Sequence, residues 1–178
     1  MLGLIESPNN LACARLLREH RLLFEQLPAS RHNHHNWPGG YIDHVTEGMN
    51  FGRHLFAFEQ SLGRPMPFSL SDVLLVFFLH GLEKPWRDLV YTSEFTPRKT
   101  GYLPESAFQK YRAKMFTEYG IILTSEHENA LRYVKGEGAE RLSTIRVMNE
   151  LAGFCHIIDE WSGRVRHNYP KDDDEWTG

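Results

Sequence analysis

Cysteine is scarce: Cys13 and Cys155 are the only two in 178 residues, and no CxxC pair occurs. A thiolate zinc site of the finger or ribbon kind is therefore disfavoured. Both cysteines lie among apolar neighbours in stretches that read as helix. Buried free thiols are expected, with a disulfide as the lesser alternative. Long apolar runs are missing too. The longest, Val73 to Leu79, falls far short of the roughly 20 residues that a bilayer-spanning helix needs. No charged-then-apolar leader opens the chain, so a cytoplasmic location with no membrane partner is expected. Positive charge is not in excess either. A net charge of −3 argues against a general nucleic-acid coat, which needs a basic face to displace counterions. It leaves room for a small phosphorylated molecule held by a few local cations. No GxxxxGK[ST] loop, GxSxG elbow or HExxH helix is present, which removes three common catalytic frameworks. Internal repeats and low-complexity linkers are absent as well.

The remaining composition is that of one soluble globular domain, 41% apolar and 24% charged. Periodicity predicts a first helix over 9–26, with Leu11, Leu16, Leu17, Leu22, Leu23 and Leu27 available for a buried face; Pro28 ends it. A polar loop over 29–38 precedes Gly39-Gly40 and a second helix over 41–62. Ser69 and Asp72 form a capping signal. They open a third helix, 72–82, apolar on nearly every face and hence central. Residues 84–103 read as a long ordered loop. A fourth helix follows over 104–119, closed by Gly120. A fifth, capped by Thr124 or Ser125, runs to Lys135, and a sixth runs over 143–166. About six helices and no convincing strand predict a single all-α bundle over residues 1–170. The acidic stretch 171–178 is expected to fray.

Histidine is the compositional oddity, with ten copies, four of them (His32, His34, His35, His44) in one short stretch. Three helices each offer one ligand from an apolar setting: His44, His80 and Asp159. Helical bundles build metal sites in this way. Imidazole with carboxylate suits a divalent ion (Mn, Fe, Co, Zn or Mg) without choosing among them.

The segment Trp37-Pro-Gly-Gly-Tyr-Ile-Asp-His-Val45, the helix end Leu74-Leu-Val-Phe-Phe-Leu-His-Gly-Leu-Glu-Lys-Pro85 and the distal Asp159 come in an order that resembles the HD-domain metal-dependent phosphohydrolases, whose signature is H…HD…D. The resemblance covers roughly residues 30–166. It implies an HD-like helical domain that hydrolyses a phosphate ester or anhydride of a nucleotide or other small phosphorylated molecule. His44, His80 and Asp159 are the implied metal ligands. Lys84, Glu83 and Arg87 are the implied catalytic groups, and His35, Arg164 and His156 the implied substrate contacts. One departure stands out: Gly81 replaces the motif aspartate, itself a metal ligand in that family. Glu83 or His35 is a candidate to fill the gap. A catalytically inactive binding or regulatory module on the same scaffold is the main alternative, and a di-iron oxygenase a lesser one. Self-association stays open.

Several residues also have plain structural readings. Gly81 suits a helix C-cap. His32, His34 and His35 suit a solvated loop, His156 a packed face, and His127 the surface. Arg98 and Lys99 suit solvated positions. Trp37, Trp86 and Trp161 are expected to pack in the core, with stacking on a base as the alternative.

Overall fold

The computed structural model describes residues 1–30, 34–84, 105–141 and 144–165. The expected loop at 84–103, beyond Lys84, and the acidic tail lie outside the described residues, as do Arg87, Trp86, Arg98, Lys99 and His32. Among the described residues, seven α-helices run in chain order: α1 (Asn9–Glu19), α2 (Arg21–Gln26), α3 (Gly40–Ser61), α4 (Leu70–Leu79), α5 (Glu105–Tyr119), α6 (Ser125–Tyr133) and α7 (Glu150–Val165). Short 3-10 turns lie at Leu2–Leu4 and Gly138–Glu140. No strand occurs among the described residues, so the all-α expectation holds. None of the described helices is long and apolar enough to cross a membrane.

The expected central helix is central. α4 packs against α3, α6 and α7, and every residue from Val73 to Leu79 is buried. Its start is the expected capping box. Ser69 Oγ accepts from the Asp72 amide at 3.2 Å, and the Asp72 carboxylate accepts from the Ser69 amide at 2.7 Å. α3 reaches α4 and α7 closely because Gly48 and Gly52 lack side chains. A Cβ on Gly48 would stand 2.0 Å from the Phe77 ring, and one on Gly52 would stand 2.8 Å from Ile158. This approach brings His44, His80 and Asp159 within reach of one another.

Four expectations need correction. The first helix breaks at His20 (φ −114°, ψ 20°), which closes α1 before α2 starts. The His20 imidazole bonds the Tyr119 hydroxyl at 2.8 Å, tying the break to α5. The break directs Phe24 into the core against Tyr41, while Leu11 and Leu22 are exposed. The last helix starts at Glu150 rather than Ser143, because Asn149 is the residue that accepts from the Ala152 amide, at 2.7 Å. The third helix ends at Leu79 rather than Leu82. His127 is buried rather than superficial. It completes a capping box with Thr124 at the start of α6, and its ring meets the Asp72 carboxylate at 2.9 Å, pinning α6 to α4. Cys13 and Cys155 are buried free thiols, as expected. Burial pushes the Cys13 thiol up to about 12.

Candidate metal centre

His44 lies on α3 one turn beyond Gly40, His80 directly follows α4, and Asp159 lies on α7. Both imidazoles are fully buried, and the Asp159 side chain keeps 17% exposure, which leaves the site an opening. Their ligand atoms form a nearly equilateral triangle. His44 Nε2 and His80 Nε2 are 3.1 Å apart, and Asp159 Oδ1 lies 3.2 Å from the first and 3.3 Å from the second.

The ring protons decide which nitrogens face the triangle. The Phe77 carbonyl accepts from His80 Nδ1. The Ser162 hydroxyl donates to Glu47 Oε2 at 2.7 Å, so at 2.9 Å it must accept from His44 Nδ1. Each neutral ring therefore turns a bare Nε2 toward the other and toward a carboxylate oxygen. Burial pushes His44 well below the usual histidine range, and the charges of His80 and Lys84 add to this against the opposing effect of Asp159. Burial raises Asp159; only with the two rings protonated would hydrogen bonds and charge from His44 and His80 hold its carboxyl far below the usual range. Three lone-pair donors facing one another can share a cation. Ligands about 2.1 Å from one ion stand roughly 3.0 Å apart in octahedral and roughly 3.4 Å apart in tetrahedral geometry. The observed edges fall between these values, so the residues present fit a divalent ion.

Gly81 has a definite local role. His80 (φ −65°, ψ 130°) and Gly81 (φ +68°) are the central residues of a turn closed by the Leu82 amide on the Leu79 carbonyl at 3.2 Å. This is a type II turn, whose third residue needs the positive φ that glycine adopts freely. The helix ends at Leu79, two residues before Gly81. The Lys84 stem lies over the glycine: a Cβ at Gly81 would meet Lys84 Cε at 3.0 Å and Nζ at 3.4 Å. Lys84 thus borders the site, where its charge lowers His34 and His44.

The other expected residues separate. Two groups of ligand atoms converge within 4.8 Å, His44 with His80 and Asp159 and His44 with His34 and His35, and Glu83 belongs to neither. Its Oε2 and the Tyr41 hydroxyl are buried without hydrogen-bond partners among the described residues. Burial and then the Glu83 charge raise Tyr41. His156 is held elsewhere, with Nδ1 donating to the Val134 carbonyl at 2.8 Å and its ring beside Gly136. Arg164 extends along the exposed surface of α7 and pairs with Glu160 at 3.3 Å. His35 is buried rather than solvated, and its Nε2 lies 3.2 Å from Glu47 Oε2. Trp37 covers this corner, its Nε1 donating to Asp43 at 2.6 Å, whereas Trp161 stacks on Phe51 with ring centroids 4.0 Å apart.

Three site residues escaped sequence reasoning: His34, Glu47 and Ser162. His34 packs beside His35 and His44, with its ring against Gly163. Burial, followed by the Lys84 charge, pushes it down to about 4. Glu47 and Ser162 follow His44 and Asp159 by three residues, the spacing that shares a helix face, and that spacing was the available signal.

No protein-family model, curated protein or solved structure matches this chain.

Proposed function

We propose that this chain is a divalent-metal-dependent phosphohydrolase acting on a nucleotide or another small phosphorylated molecule through His44, His80 and Asp159. The observation that supports this reading is the triangle of two bare imidazole nitrogens and one carboxylate oxygen, with edges of 3.1, 3.2 and 3.3 Å. A bound divalent ion supplies a lowered water pKa and polarisation of a phosphoryl oxygen. His44 and His80 keep their Nε2 atoms bare because Ser162 and the Phe77 carbonyl take their Nδ1 protons. Asp159 brings the negative charge. Lys84, at the border of the triangle, is placed to attract a phosphoryl group and neutralise charge that develops on it. Phe77, buried and packed against both imidazoles, keeps water from the closed side.

A second reading, binding without turnover, draws on Gly81. The type II turn supplies no carboxylate there, and Lys84 covers the position. Reconstitution separates the two. Chelator-treated protein is supplied with Mn, Fe, Co, Zn or Mg in turn. Bound metal is counted, and phosphate release is followed from nucleoside mono-, di- and triphosphates. Stoichiometric metal with phosphate release supports hydrolysis. Metal or nucleotide binding without release supports the binding module. No metal uptake by any ion overturns the metal reading.

A further inference from the structure

The buried hydrogen-bond network behind the triangle converges on one carboxylate. Glu47 is 2% exposed, yet two donors from different parts of the chain reach the same oxygen. Ser162 Oγ donates to Oε2 from α7 at 2.7 Å, and His35 Nε2 meets it from the loop before α3 at 3.2 Å. We infer that Glu47 is the positioning residue that fixes the tautomers of both imidazole arms of this site. The inference rests on the metal reading only for its functional consequence.

The first arm runs Glu47–Ser162–His44. The negative carboxylate takes the Ser162 proton, so the hydroxyl offers His44 Nδ1 a lone pair rather than a hydrogen. His44 must then carry its proton on Nδ1 and leave Nε2 bare toward His80 and Asp159. The second arm runs Glu47–His35–His34. A carboxylate opposite His35 Nε2 places the proton there, which leaves Nδ1 bare. The 3.1 Å contact between the two Nδ1 atoms of His34 and His35 is then a hydrogen bond donated by His34. His34 consequently presents its own Nε2 bare, on a side chain that is only partly buried. Histidines that hold metals are commonly oriented by such outer carboxylates, whose loss costs about 10- to 100-fold in affinity.

The surrounding backbone is adapted to this arrangement. His35 is the one non-glycine residue with positive φ (+47°) among those described. That conformation is uncommon outside glycine and here accompanies an inward-facing ring. A Cβ on Gly40 would stand 2.1 Å from the His35 carbonyl oxygen. Gly163, one turn beyond Asp159, lies against the His34 ring, 3.7 Å away from a built Cβ.

Imidazole 15N NMR of the metal-free full chain reads the tautomers directly, and Co(II) titration reads the ion. Wild type is expected to show His44 protonated on Nδ1 and His35 on Nε2. In Glu47→Leu both rings lose that preference and Co(II) binding weakens by about 10- to 100-fold. Glu47→Gln, which keeps an acceptor oxygen without the charge, recovers part of both. Ser162→Ala releases His44 alone. Circular dichroism confirms folding of each variant, and Ser162→Ala keeps the test open if Glu47→Leu fails to fold. Unchanged tautomers in Glu47→Leu, or in Ser162→Ala for His44, would overturn the inference. Wild type with the expected tautomers and no Co(II) uptake would overturn the metal reading and leave the role of Glu47 standing.

Discussion

A single glycine sets the backbone beside the site. Gly81 takes a positive φ directly after a buried histidine, and the Lys84 methylenes fill the space above it. Placing an aspartate there is therefore not a simple gain of a ligand. Gly81→Asp and Gly81→Ala are both expected to cost about 1–3 kcal/mol, the usual range for a non-glycine residue held in this region. Urea denaturation measures this. If the aspartate variant alone also tightens metal binding, its carboxylate has displaced Lys84 and reached the ion. The three residues of the triangle were legible because His44, His80 and Asp159 are polar residues in otherwise apolar helical stretches. Glu47 was harder to see, since an acid on a long helix is ordinarily solvated. His34 was obscured by its loop, because no helical period orders its neighbours.

The elements were legible where local chemistry decides them and less so where tertiary contacts do. Ser69 and Asp72 announce the start of α4, and Gly120 the end of α5. The break at His20 carries no proline or glycine; it follows from the bond to Tyr119, 99 residues away. The late start of α7 is set by Asn149, itself held by Asn129 of α6 at 2.9 Å. Asp72 serves two elements at once. Burial pushes its carboxyl up, but hydrogen bonds from Ser69 and His127 outweigh this and hold it below its ordinary value. A carboxyl with a folded pKa below its unfolded one adds stability above the unfolded pKa, roughly 3.9, and loses it as pH falls through the folded value. Asp72→Ala is expected to lower stability by about 1 kcal/mol at neutral pH. The gap from wild type should narrow below about pH 4, as followed by thermal melts across pH. Gly48→Ala probes the α3–α4 approach. A methyl 2.0 Å from the Phe77 ring forces a shift that typically costs about 1–3 kcal/mol.

At the scale of the whole molecule, three helices must be in place before the triangle exists. A cation that fits the triangle binds the folded chain and not the unfolded one. At a free concentration 100 times its dissociation constant it should add about 2.7 kcal/mol. Calorimetric melts with and without a chelator measure that increment. His44→Ala and Asp159→Asn are expected to abolish it.

The spacing of the triangle along the chain also bears on the order of assembly. His44 and His80 are 36 residues apart, and His44 and its partner Ser162 are 118 apart. Closing segments of that length carries an entropic cost before any contact repays it. The triangle is therefore expected to form in the last steps of folding. Stopped-flow chevrons should show an unfolding limb slowed by added metal and a refolding limb left where it was. The ion would lock a finished protein rather than guide an unfinished one.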